Sequence, residues 1–203
     1  LNQIGEIFSQ AGIGQASIKF YTNVTNGNLI LVDRLLKIRE MNGFLTLGFI
    51  YNSQAATPWL FTLKRFSIPP VLSPSSNKTA ILIEEDGHET TYISQPANVY
   101  TAPPLADGTP YVNYSAELNY WVWFHPGQQI VEYYNSTGFL IQRLDAAGRA
   151  TTFSYDQNNQ LSTITGPTGN VYQIIRNNLA LNIVEIVSGQ QQLLASYTLD
   201  NQG

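Results

Sequence analysis

The sequence predicts an all-β protein: antiparallel hairpins set side by side to form one twisted, curved sheet. Three observations predict it. Strand-like runs alternate with Asn-Gly and Asp-Gly pairs, a set of landmarks recurs at a fixed interval in the last third of the chain, and charge is scarce. Only 12% of the 203 residues are charged, about half the usual share, whereas 43% are apolar and 12% aromatic. Asn, Gln, Ser and Thr carry the polarity instead, which favours turns and strands over surface helices. The length is enough to bury the core of one large or two small domains.

Taken in order, residues 1–16 favour a short helix, because Ile4, Ile7, Phe8 and Ala11 recur at helical spacing before Gly12 and Gly14 stop it. Strands begin at Ser17. Asn26-Gly27, Asn42-Gly43 and Asp86-Gly87 each sit between apolar or β-branched runs, and such pairs supply the positive φ that two-residue hairpin turns need. The proline-rich stretches 67–79 and 94–110 read as loops or edge crossings, since proline gives a ladder no donor. A further alternating stretch turns at Pro126-Gly127.

The period appears after residue 130. Tyr134 and Tyr155, Gly138 and Asn159, Leu140 and Leu161, Gly148 and Gly169, and Phe153 and Ile174 all share an offset of 21. Gly and Asn are the residues that most readily take the left-handed conformation a tight turn demands. Two strands of about seven residues and two turns fill one such unit. The following copy is degenerate, with Arg176 in the tyrosine position, and "YTLDNQG" places Gly203 in the glycine position at an offset of 44 from Asn159 instead of 42.

The chemistry available is narrow. A net charge of -4 with no basic cluster disfavours nucleic acid, and without cysteine there is no disulfide, thiolate metal site or thiol nucleophile. No apolar run approaches the roughly 20 residues that span a bilayer as a helix. His88 opens "HETTY", but Tyr92 stands where a zinc protease needs its second histidine, and an Asp-Gly turn precedes it. His125 in "FHPG" reads as a turn residue. The acids Glu84, Glu85, Asp86 and Glu89 lack calcium-loop spacing and read as a solvated hairpin tip. "GIGQAS" has two glycines of a dinucleotide fingerprint but no strand before it. No residue is nominated as catalytic, and no metal or cofactor is expected.

The unit Tyr155-Asp156 with Asn159, Leu161 and Gly169, and its neighbour Tyr134-Asn135 with Gly138, Leu140, Asp145, Gly148 and Arg149, resembles the RHS/YD-repeat family. Upstream, "TNGNLILVD" (25–33), "LTLGFIYNS" (45–53), "PWLFTLKRF" (58–66), "EEDGHETTY" (84–92) and "VWFHPGQQIVEYY" (122–134) occur in the order of the module that precedes the repeats in bacterial RHS proteins. The resemblance implies an N-terminal segment (1–16), a lead-in β module (17–130) and YD-type hairpins (131–203), the last truncated. It implies a non-catalytic part of a shell that encloses or presents a C-terminal toxin or effector, secreted or at a bacterial surface. The partners would be the remainder of its own chain and that cargo, with no nucleic acid and no membrane span. The competing reading is a cell-surface adhesin or carbohydrate-binding module that stacks sugars on Trp121 and Trp123. Trp59 and the tyrosines could join such a platform, or all of these rings could supply buried area to the sheet.

Overall fold

Eighteen strands and a single 3-10 turn make up the described part of the chain, a computed structural model covering residues 4–7, 18–23, 29–40, 43–53, 59–72, 78–84, 89–105, 108–177 and 180–198. They form two sheets. The smaller has five antiparallel strands in chain order: β1 (Ile4–Ile7), β2 (Ile18–Asn23), β3 (Leu29–Glu40), β4 (Gly43–Asn52) and β5 (Trp59–Phe61). The larger has thirteen. They are β6 (Arg65–Ile68), β7 (Thr79–Ile83), β8 (Glu89–Gln95), β9 (Val99–Thr101), β10 (Tyr111–Ser115), β11 (Tyr120–His125), β12 (Ile130–Tyr134), β13 (Leu140–Leu144), β14 (Ala150–Tyr155), β15 (Leu161–Thr165), β16 (Val171–Asn177), β17 (Ala180–Val187) and β18 (Gln190–Thr198). Every strand of the larger sheet pairs antiparallel with its sequence neighbours, as a stack of hairpins requires.

Two expectations are corrected. Ile4–Ile7 is strand β1, paired with β2, so the apolar spacing there does not make a helix; residues 8–17 lie outside the described part. The chain also makes two sheets where one was expected. After Phe61 it turns through Thr62 to Lys64, and β6 starts a new ladder with β7 instead of continuing beside β5. The expected hairpins pair, β2 with β3, β3 with β4, and β7 with β8, but Asn26-Gly27, Asn42 and Asp86-Gly87 themselves lie outside the described part, and Gly43 is the first residue of β4, paired with Glu40. The proline-rich stretch 94–110 contributes ladder strands at Ser94–Gln95 and Val99–Thr101, while Pro96 falls between these two and Pro103, Pro104 and Pro110 between β9 and β10, where no donor is needed. Residues 130 and 131 lie together within β12, so the sheet is continuous at that point.

The larger sheet does two things. From β6 to β12 it curls, so that edge strand β6 returns to the β12–β13 turn through one bridge, Arg65 with Phe139, and a hydrogen bond from the Phe66 N–H to the Gly138 carbonyl at 2.8 Å. Phe66, Tyr92, Tyr100, Trp121, Trp123 and Tyr134 fill the concave side of this curl. Phe66 meets Tyr134 edge to face at 4.9 Å and Tyr92 at 6.2 Å, geometries that suit aromatic quadrupoles.

From β13 to β18 the same side is covered by β3 and β4, whose Leu36, Ile38, Leu45 and Leu47 join one core with Leu140, Leu161, Ile164, Ile174 and Ile183. A bulge between Arg34 and Leu36 puts Asp33 on the same face as Leu36, Ile38 and Glu40, because it resets the two-residue alternation. Gly48 opposite makes room for it: a Cβ there would lie 1.7 Å from the Asp33 carbonyl oxygen.

Candidate functional site

Four turns define the repeat. They start at Asn135, Asp145, Asp156 and Gly166, and in each the fourth residue donates its N–H back to the carbonyl of the first, at 2.8 to 3.0 Å. The first N–H in turn donates to the carbonyl of the fifth residue, which is the three-residue hairpin loop closed by a left-handed residue. That residue is Gly138, Gly148, Asn159 or Gly169, with φ of 88°, 74°, 59° and 86°. In three turns a side chain completes the loop. Oδ1 of Asn135, Asp145 and Asp156 each accepts two backbone N–H groups, those two and four residues on, which explains why Asn or Asp stands there. Gly166 has no side chain to do this, and Thr168 instead donates to Asn170 Oδ1 at 2.6 Å.

The strand offset is repeated as well. A bulge shifts the register between Tyr133 and Tyr134, opposite Leu140, and another between Ser154 and Tyr155, opposite Leu161. Leu140 and Leu161 are buried beneath the small sheet. The tyrosines do not stack on each other: Tyr134 packs on Phe66 and half-buried Tyr155 on Phe139 at 5.0 Å.

Tyr155 also bonds outward. Its hydroxyl donates to the carbonyl of Leu140, on the preceding hairpin, at 2.7 Å. Arg176, the counterpart of Tyr155 in the next copy, donates from Nη1 to the carbonyl of Leu161, the counterpart of Leu140, again at 2.7 Å. The degenerate copy is therefore degenerate in residue type only, because a guanidinium delivers a donor to the place a phenol reaches. Tyr197 holds the equivalent position in the copy after that, but its hydroxyl donates to Asp33 Oδ2 of β3 at 2.9 Å.

Sequence reasoning missed a buried charged cluster. Glu132, fully buried, accepts from Arg143 Nη1 at 2.6 Å on Oε1 and from the Tyr134 hydroxyl at 2.7 Å on Oε2. Lys64 approaches Glu132 at 3.8 Å and Glu84 at 3.4 Å while lying 4.0 Å from the Trp123 ring centre, and Arg143 Nε reaches Glu40 Oε1 of β3 at 3.0 Å. Burial pushes the Glu132 pKa up, but Lys64, Arg143 and the hydrogen bonds pull it below its ordinary value, so the carboxylate stays charged. Burial, and then the Glu132 charge, raise the Tyr134 pKa well above its ordinary value. The cluster joins the small sheet, the β5–β6 turn and three strands of the large sheet. Such a group constrains packing more than it performs chemistry.

The sequence-nominated ligand residues lie elsewhere than expected. Trp121 and Trp123 are 3% and 2% exposed, and the Trp123 indole N–H donates to the Tyr92 hydroxyl at 2.6 Å. Their rings face the concave core, which removes them as a sugar-stacking surface. His125 ends β11 and is buried, its Nδ1 accepting the Gln128 N–H at 3.2 Å, so it is more than a turn residue. Residues 85–88, including His88, lie outside the described part; Glu89 to Tyr92 form strand, not the helix that a zinc protease requires. Among the described residues no group of three His, Asp or Glu side chains is placed to hold a metal, and no helix is long and apolar enough to cross a membrane.

The family model described as RHS Repeat matches residues 134–171, the stretch that contains these four turns. A search of the curated proteins gives no match.

Proposed function

We propose, from a chain whose residues 134–171 are RHS repeat, that it is a non-catalytic wall segment of an RHS/YD shell enclosing or presenting a C-terminal toxin or effector outside the bacterial cell. Residues 17–130 would be the lead-in module and residues 131–203 the first hairpins. The observation that carries the reading is that the thirteen-stranded sheet runs in chain order and that from β12 onward its hairpins repeat one turn and one bulge at a period of 21 residues. A stack of this kind buries its sides against neighbours and extends by adding units. Edge strand β18 supports it: nine residues, mostly exposed, without Lys, Arg or Pro to discourage another strand from pairing. The partners would be the rest of the same polypeptide and the enclosed cargo.

Protease protection in the full-length protein tests it. A C-terminal domain held inside the shell survives a protease that digests the same domain produced alone, and becomes sensitive when the wall is opened by Gly138→Val. Digestion of the C-terminal domain at equal rates inside and outside the full-length protein refutes the proposal.

A further inference from the structure

Strand β3 lies across the repeat strands and holds them at two points. Its face toward the large sheet carries Asp33, Leu36, Ile38 and Glu40. Asp33 accepts from Tyr197 on β18, Gly166 after β15 packs on Ile38, and Glu40 pairs with Arg143 on β13. Three contacts thus follow β3 in order from the last strand of the sheet back to β13.

The lengths agree. With the bulge taken out, Asp33 to Glu40 is six ladder steps, matching Phe49 to Gly43 on β4, or about 20 Å at about 3.3 Å each, and five steps from β13 to β18 at about 4.8 Å span about 24 Å, a difference the reaching Tyr197 and Arg143 side chains cover. β3 therefore crosses the sheet close to perpendicular, one strand measuring six.

The tyrosine column explains why the pegs are where they are. Its inner members, Tyr155 and Arg176, are satisfied by backbone carbonyls of the neighbouring hairpin. The outer members are satisfied by acids. Tyr134 donates to Glu132, which Arg143 ties to Glu40. Tyr197 donates to Asp33, although the Asn182 carbonyl is the acceptor that its position in the column would use. Phe49, the cross-strand partner of Asp33, adds an edge contact to the Tyr197 ring at 5.0 Å. The bulge after Arg34 has a role here, since without it Asp33 would face away from Tyr197.

We infer that β3 is a strap that sets the curvature of the first repeat hairpins, with Asp33 and Glu40 as its two attachment points. The inference rests on the wall reading and extends it: the N-terminal sheet templates the bend that later hairpins would inherit.

The chain contains no cysteine, so Ala147→Cys and Ser196→Cys, at the exposed turn after β13 and on β18, take a pair of spin labels cleanly. Distances between them are measured by pulsed electron resonance with Glu40→Gln and Tyr197→Phe added together. The strap predicts that the distance lengthens and its distribution becomes at least twofold broader, while amide exchange in β14 to β16 stays slow. An unchanged distribution in a folded double variant overturns it, because the bend is then intrinsic to sheet twist. If the double variant does not fold, Tyr197→Phe alone decides. It removes one hydroxyl and keeps the ring on Phe49, so broadening supports the strap and its absence overturns it. Neither result depends on cargo, so failure here leaves the protease-protection test of the shell standing.

Discussion

The turn residues at Gly138 and Gly148 share a left-handed backbone but differ in surroundings, so one substitution at both separates conformational strain from contact. At Gly148 an added Cβ meets nothing within 4 Å. Gly148→Ala should cost only the left-handed penalty of about 1 kcal/mol. At Gly138 a Cβ would lie 2.7 Å from the Phe66 carbonyl oxygen and 2.8 Å from the Phe66 Cβ. Relief requires β6 to move away from the turn, and that stretches the hydrogen bond from the Phe66 N–H to the Gly138 carbonyl at 2.8 Å. Leaving that buried N–H poorly satisfied adds about 1 to 3 kcal/mol, so Gly138→Ala should cost about 3 kcal/mol in all. With a urea slope of about 2 kcal/mol/M, the midpoints fall by about 0.5 M for Gly148→Ala and about 1.5 M for Gly138→Ala. Gly169→Ala, with open space like Gly148, should track the smaller value. Equal shifts at positions 138 and 148 would refute the docking of β6 on that turn, and no shift at 148 would refute its left-handed requirement.

Glu132→Gln should destabilise by about 3 kcal/mol, since removing one member of a buried ion group leaves its partners uncompensated, and denaturant melts at pH 7 read this. Because the folded pKa of Glu132 is lowered, its stabilisation is present above the ordinary carboxyl value of 4.5 and is lost as pH falls through the folded value. The parent should thus lose stability in acid more steeply than Glu132→Gln does. Arg176→Tyr should keep parent stability and Arg176→Leu should lose about 1 kcal/mol, the comparison being made by urea midpoint; equal loss in both would mean that the bond to Leu161 is incidental. Burial raises the pKa values of Tyr92, Tyr134 and Tyr155, so their contribution holds below the ordinary value of 10.0 and falls as pH rises above it. Absorbance at 295 nm should show these phenols ionising only together with unfolding. Gly48→Ala forces the bulge in β3 apart and should cost more than about 3 kcal/mol, read by thermal melting.

Much of the hairpin stack was legible because its determinants are local. A positive-φ residue favours Gly or Asn, the residue three before it gains from an Asx side chain, and the leucine after the turn must be apolar; all three leave marks at fixed spacing. The split into two sheets was not legible. It falls at Thr62 to Lys64, where Lys64 meets Trp123, Glu84 and Glu132, contacts between residues far apart in the chain that no periodicity encodes. For the same reason Trp121 and Trp123 looked like candidates for a surface platform: β11 alternates in burial, but sequence does not say which face is concave. Arg176 hid a working repeat position behind an unexpected residue type. Tyr197 was hidden differently, since spacing counted from the glycine gives 44 and only spacing counted from the tyrosine gives 42.

The tie between Asp33 and Tyr197 joins residues 164 positions apart, which has a consequence for synthesis. At about 5 to 20 residues per second, the ribosome needs about 8 to 33 s after making β3 before its distal anchor exists. For the first part of that interval, until β13 and the strands after it emerge, the inner face of β3 and β4, with Leu36, Ile38, Leu45 and Leu47, has no hairpins to cover it. A nascent chain of this design is exposed to aggregation for longer than its later units, each of which emerges onto a neighbour already in place, and its N-terminal sheet is the part for which a holding chaperone matters.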